Sequence, residues 1–383
     1  MKVLITLPQS PAPSDNTVGR YFGPMLKAMV ALGHEVTAVA VCHTAKAQAD
    51  AESYLAGSGV RLRPFREPPP RPLIERKLRS LWRSGWELCG GEFGKAVREE
   101  AARDYDVILA EMAQTARIVE KDPRTVLSVL FLRFMDLATD RTGGWLASEA
   151  RRLQSRRAEL STCRKVRRVR VISSRLGAAL RDIRSDSTVI PICLDASTYT
   201  PVKQPSQPTV GVLGSMFWAP SRAAAIHFIK NIAPPLRGRF PGIRFLVGGW
   251  RAREFLGPHI KHPDIDLLNN FPDPREAFAR LSVLVYAPPV GTGMKVKVLE
   301  SMAYGVPAVV NDEGFEGLDV DPSPPVSLAR SDDEIVDAVA ALLTDVTARE
   351  RVIEEGRRCL ARSFSPMVVT ESLARYLSRG CSI

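Results

Sequence analysis

Gly291-Thr-Gly-Met-Lys-Val-Lys-Val-Leu-Glu-Ser-Met-Ala-Tyr-Gly-Val-Pro-Ala-Val-Val310 reads as a glycine loop, one short helix and a buried strand. Gly291 and Gly293 let the backbone approach a ligand with no Cβ in the way. A helix starting near Met294 is expected to point N–H groups and a partial positive charge into the same space. Lys295 and Lys297 add two cations there, and Glu300, three residues after Lys297, shares its helical face. A cation and an acceptor-only carboxylate can then meet one ligand at two points. A nucleotide sugar offers both targets, with diphosphate for the lysines and ribose hydroxyls for the carboxylate.

Lys and Glu at this spacing are more often solvated surface pairs, worth a few tenths of a kcal/mol. The packing residues oppose that reading. Val298, Leu299, Met302, Ala303 and Val306 make nearly the whole circumference of the helix apolar, and Gly305 with Pro307 stops it before the strand Ala308 to Val310. The loop contains no Walker A pattern, and Gly291-x-Gly293 lacks the third glycine of a dinucleotide fingerprint.

Outward from this stretch, the chain alternates strand and helix patterns. Val3 to Leu7, the helix Val18 to Leu32 closed by Gly33, and Glu35 to Val41 form a βαβ start, which implies a parallel sheet. Val107 to Ala110, Thr125 to Leu132, Val169 to Ser173 and Thr188 to Ile192 continue as strands. Pro191 to Pro208, with Pro201 and Pro205 among polar residues, reads as a linker. A second unit follows with strands at Thr209 to Gly214, Ile243 to Gly248, Ile265 to Leu268 and Val283 to Ala287. Ligands of open α/β sheets sit beyond the carboxyl ends of the strands. The loop Pro8 to Gly19, where Asn16 or Thr17 is a candidate helix cap, is therefore of interest, as is Arg133-Phe-Met-Asp136-Leu-Ala-Thr-Asp140.

The stretch 291–310 resembles the donor-binding signature of family 4 type glycosyltransferases (glycosyl transferases group 1). Pro191-Ile-Cys-Leu-Asp195, Gly211-Val-Leu-Gly-Ser-Met216 and Glu313-Gly-Phe-Glu-Gly317 agree in the expected order. The resemblance implies an α/β protein of GT-B fold, with two Rossmann-like domains facing across a cleft. It further implies an acceptor-binding domain over 1–195, a linker over 196–208, a nucleotide-sugar-binding domain over 209–365, and a C-terminal helix over 366–383 that packs back on the first domain. The implied reaction moves a sugar from a nucleotide-diphosphate sugar to an acceptor hydroxyl, with retention, and needs no metal or other cofactor. Donor-binding positions carried over are Gly214, Ser215, Gly291, Thr292, Gly293, Met294, Lys295, Lys297, Val298 and Glu300. Lys297 and Asp136 are the candidate catalytic residues, and Asn16, Thr17 and Gly19 the acceptor-side candidates. Asp136 either faces the sugar or caps the helix that follows it.

Two departures from the family pattern stand out. Many relatives carry Arg and then Lys in the loop after the first strand of the second domain, where this chain has Ser215 and Met216, with Arg222 further along. Their Glu-x7-Glu pair has its first carboxylate at the position of Thr292, so backbone N–H groups of the loop Gly291 to Met294 are candidates to replace it. Two other functions remain open: a GT-B relative that epimerises or hydrolyses nucleotide sugars, and a nucleotide-sugar binding module without catalysis.

The 383 residues, 45% hydrophobic, suffice for two cores. Six scattered cysteines without a C-x-x-C pair point to reduced thiols and against zinc. The short apolar N-terminus, without a cleavage site, and the lack of a long apolar run point to a cytoplasmic protein, soluble or peripheral at the inner membrane face. A net charge of +11 is concentrated in Arg61 to Arg83 and Arg151 to Arg184. In the first region Leu78, Leu81, Trp82 and Trp86 interleave with Arg76, Lys77, Arg79 and Arg83. Such stretches fit a solvated basic face, an anionic membrane surface or an anionic acceptor, with nucleic acid disfavoured for want of a binding motif. The acceptor is expected to be a glycan, a lipid-linked glycan or a small natural product.

Overall fold

A computed structural model describes residues 1–14, 17–66, 91–140, 144–319 and 324–379. The chain forms two compact units. Unit 1 comprises Met1–Phe134, Gly143–Asp195 and Phe364–Ile383, and unit 2 comprises Met135–Thr142 and Ala196–Ser363. The basic stretch containing Trp82 and Trp86 falls outside the described residues, as does Asn16.

Unit 1 is built on seven parallel strands in the order β3-β2-β1-β4-β5-β6-β7. In chain order they are β1 (Lys2–Leu7), β2 (Glu35–Cys42), β3 (Arg61–Arg66), β4 (Val107–Glu111), β5 (Thr125–Val129), β6 (Arg168–Val171) and β7 (Thr188–Val189). The central strands are apolar on both faces because helices cover both sides of a parallel sheet. Leu4, Val39, Val41 and Ile108 pack in one core with Phe93 and Val97 of the helix Glu92–Ala101. The helix Gly19–Ala31 follows β1, but its N-cap is Val18 and no side chain caps it. The expected cap at Asn16 or Thr17 is therefore corrected, with Thr17 in an exposed turn and Gly19 buried at the helix start.

Two buried charged clusters hold this unit. Arg170, fully buried on β6, donates to Ser128 Oγ at 3.0 Å, to the carbonyl of Pro191 at 2.6 Å and to Tyr21, whose hydroxyl donates to Glu111 at 3.2 Å. It thereby fixes the strand end from which the chain leaves the sheet. Burial pushes the Glu111 carboxyl up, against the pull of Arg170. At the sheet edge, buried Glu100 accepts from Arg61, Arg63 and the Tyr105 hydroxyl, and lies 3.3 Å from Arg103. Burial alone would raise its pKa, yet Tyr105 and the guanidiniums hold it below the ordinary carboxylate value. Its stabilising contribution is therefore present above the unfolded pKa and is lost as pH falls through the lower folded one. Glu100→Gln is expected to lower stability by about 2 kcal/mol at neutral pH, since Arg61 and Arg103 are half exposed and partly rehydrate. Urea midpoints should show that deficit at pH 7 and its progressive loss as pH falls below the ordinary carboxylate range.

The C-terminal helix Pro366–Ser378 belongs to the same unit and packs on Gly19–Ala31. Ser365 caps its start, Val369, Leu373 and Leu377 form its buried stripe, and Arg168 donates to the carbonyls of Tyr376 and Leu377 at its end.

Unit 2 holds six parallel strands in the order β10-β9-β8-β11-β12-β13. They are β8 (Thr209–Leu213), β9 (Arg244–Gly249), β10 (Ile265–Asn269), β11 (Val283–Tyr286), β12 (Ala308–Val310) and β13 (Ser327–Leu328). The strand order reverses between β8 and β11, and in an open α/β sheet the ligand crevice lies at that reversal. The loops that leave β8 and β11 there are Gly214–Trp218 and Ala287–Lys295.

Candidate functional site

The second loop leads into the helix Val296–Tyr304, two residues later than the expected start at Met294, with Lys295 as N-cap and no side-chain cap. Val298 to Tyr304 are all buried, as the apolar circumference requires, and Gly305 ends the helix in the left-handed conformation. Lys297, whose side chain is 16% exposed, donates to Glu300 Oε2 at 2.8 Å, and Glu300 is fully buried. Tyr199 reaches Glu300 Oε1 at 3.5 Å. The lysine and carboxylate expected to share one ligand thus lie one hydrogen bond apart.

Lys295, the other expected phosphate contact, has partners of its own. Its ammonium donates to the carbonyl of Gly293 and lies 3.5 Å from the buried carboxylate of Glu316. Gly317 makes this possible, because at φ 82° it turns the chain so tightly that a Cβ would fall 2.3 Å from Met294 Cγ. Lys295 therefore braces the glycine loop. Glu316, quoted in the motif at 313–317, received no role from sequence because its partner is not a helical neighbour.

At Thr292, where the family pattern puts a carboxylate, the backbone N–H donates to Asp136 Oδ1 at 2.7 Å and the hydroxyl to the same oxygen at 3.1 Å. Asp136 ends a four-residue turn of helix, Arg133–Asp136, and does not cap the short 3-10 turn that follows. The N–H of Thr292, expected to stand in for the missing carboxylate, instead carries a carboxylate supplied by another part of the chain. Asp136 is 2% exposed, and its Oδ2 has no hydrogen-bond partner. Burial raises its pKa to about 7, against Lys295 and the two bonds from Thr292, with Glu316 adding to the rise.

The loop after β8 carries Gly214 and Ser215, flanked by buried Met216. Gly249, at the end of β9, has φ 146° and approaches so closely that a Cβ would lie 1.5 Å from the Gly214 carbonyl oxygen. Met216 N–H donates to the Trp250 carbonyl at 3.0 Å, joining the two loops. Arg222, on the helix that follows the loop, folds back to donate to the Met216 carbonyl at 3.2 Å and, across a longer span of chain, to Asp140 at 3.1 Å. Beneath the loop Ser221 and Tyr286 share a 2.8 Å hydrogen bond. Of the residues named from sequence, unit 2 gathers Asp136, Gly291 to Met294, Lys295, Lys297, Val298 and Glu300 on the β11 side, with Gly214 and Ser215 on the β8 side. Thr17 and Gly19 belong to unit 1.

Two family models match the chain, one described as glycosyl transferases group 1 over residues 207–345 and one as a glycosyl transferase 4-like domain over residues 16–193. Together they take in most of it. The chain belongs to the family 4 type glycosyltransferases.

Solved structures agree on the GT-B architecture of this glycosyltransferase. Sucrose-phosphate synthase from Thermosynechococcus elongatus superposes with a TM-score of 0.70 at 13% identity, covering 99% of each chain. The Anabaena protein HepE, in complex with UDP and glucose, gives 0.67 at 14% identity over 99% of this chain and 100% of its own. TarM gives 0.71 at 9% identity over 100% of this chain and 99% of its own. A comparison with curated protein sequences finds no match. Among the described residues, no helix of this glycosyltransferase is long and apolar enough to cross a membrane.

Proposed function

We propose that this glycosyltransferase takes its sugar from a nucleotide-diphosphate sugar and passes it to an acceptor hydroxyl with retention at the anomeric carbon, without a metal ion. The observation that carries the reading is the convergence of Lys297, Glu300, the glycine loop and Asp136 at the strand-order reversal of unit 2. On donor binding the diphosphate exchanges with Glu300 as the partner of Lys297, and the released carboxylate takes the ribose hydroxyls. As the glycosidic bond breaks, negative charge grows on the leaving diphosphate, and a preorganised Lys297 stabilises it more than the ground state. Asp136 is the sugar-facing carboxylate. Oδ1 is held by Thr292, which leaves Oδ2 to accept a hydroxyl of the donor sugar.

HepE holds UDP and glucose, which makes uridine diphosphate sugars the first candidates. A ligand that binds only the folded chain raises its melting temperature. Across a panel of UDP, GDP, TDP and ADP sugars, one base should give a clear shift that is lost in Lys297→Ala. No shift with any donor would overturn the assignment. Donor consumption only when an acceptor is present separates transfer from hydrolysis or epimerisation, and binding without any turnover would indicate a non-catalytic module.

A further inference from the structure

We propose that the outer face of the helix Trp145–Lys165 docks this protein on an anionic lipid surface. This helix of unit 1 is turned inside out for a globular protein: it buries Ser148, Ala158, Glu159, Thr162 and Cys163 while its largest apolar side chains point outward. Trp145 is 63% exposed, Leu146 75% and Leu153 50%. The buried face has its own tasks. Glu159 accepts from the N–H groups of Arg133 and Phe134 at 2.9 and 3.1 Å, and Thr162 donates to the carbonyl of Ala158.

Leu146, Ala150, Leu153, Arg157, Leu160 and Arg164 follow one another at alternating steps of four and three, so they share one stripe of the helix. The stripe is apolar toward the N-terminus and basic toward the C-terminus. Arg156, Arg157 and Arg164 are exposed and make no ion pair among the described residues, whereas Glu149 is held by Arg152 at 2.8 Å. The outward surface therefore combines aromatic and leucine side chains with uncompensated positive charge, the combination that an interface of acyl chains and phosphate headgroups accepts. The docking surface is independent of the donor-site assignment.

Cosedimentation of the full chain with vesicles tests it. Binding is expected to vesicles containing phosphatidylglycerol, to weaken with added salt, and to fall sharply on phosphatidylcholine alone. Leu146→Glu with Leu153→Glu should reduce binding at least about tenfold, because two leucines no longer enter the interface. Arg157→Glu with Arg164→Glu, at positions fully outside the core, should do the same through charge. Unchanged melting temperatures and unchanged stabilisation by nucleotide sugars would show that both variants remain folded and that the donor site is untouched. No binding to anionic vesicles, or equal binding by wild type and both variants, overturns the proposal, and capture by an acidic protein surface in place of vesicles would overturn it as well.

Discussion

Lys297→Ala is expected to lower kcat by about 10²–10³, the range seen when one preorganised stabiliser of a developing anion is removed. The side chain lies at the entry of the signature helix, and its ammonium is the cation beside fully buried Glu300. Removing it also strips a buried carboxylate of its charge partner, which destabilises the fold for reasons unrelated to turnover. The two effects separate in Lys297→Ala combined with Glu300→Gln, read against Glu300→Gln alone. The neutral amide no longer needs a cation, and Tyr199 remains near it. Melting temperature should recover toward wild type in the double variant, while turnover should not. Near-normal turnover in Lys297→Ala would remove this residue from the mechanism. Recovery of turnover together with stability would show that Lys297 acts only as structural support.

Asp136→Asn is expected to raise stability and abolish most activity together. The folded pKa of Asp136, about 7, lies above that of an ordinary aspartate because burial disfavours the anion. Between about pH 4 and 7 the folded state binds the extra proton, so the stability contribution is full below the unfolded pKa and declines as pH rises through the folded one. Asparagine keeps an oxygen for Thr292 and carries no charge to bury, so the variant should melt higher than wild type at pH 8. Its stability should also lack the decline across that window. Transfer should move the other way. If ionised Oδ2 accepts a sugar hydroxyl, kcat/KM of the wild type rises with pH through about 7 and levels off above it. Asp136→Asn should be lower by about 10²-fold or more and lack that limb. A variant that is more stable yet fully active, with the wild-type pH profile, would refute a role at the sugar.

Some of this site was legible along the chain. The glycine loop, the buried signature helix and its stop at Gly305 followed from local signals: backbone freedom, a nearly all-apolar circumference, and a left-handed terminator. The Lys297–Glu300 neighbourhood also followed, since residues three apart on a helix are adjacent whatever the tertiary fold. The helix cap proposed at Asn16 or Thr17 was wrong because cap preference is a weak local signal, and here the helix starts at Gly19 behind Val18 without any side-chain cap. The pairing of Lys295 with Glu316 was not legible, because the two lie on separate segments with no shared helical face.

The sequence by itself determined that this is a two-unit parallel α/β protein of the family 4 glycosyltransferase type. Apolar runs, βα alternation and a dense motif are all short-range, and each is readable within about 20 residues. Only the tertiary structure decided that Thr292 donates to the carboxylate of Asp136, 156 residues away. It also decided that Arg222 returns to the β8 loop, and that the helix Trp145–Lys165 turns its leucines outward. These are contacts between segments whose spacing carries no periodic signal. They are set by which surfaces the two sheets leave to be covered and by the need of each buried polar group to find a partner.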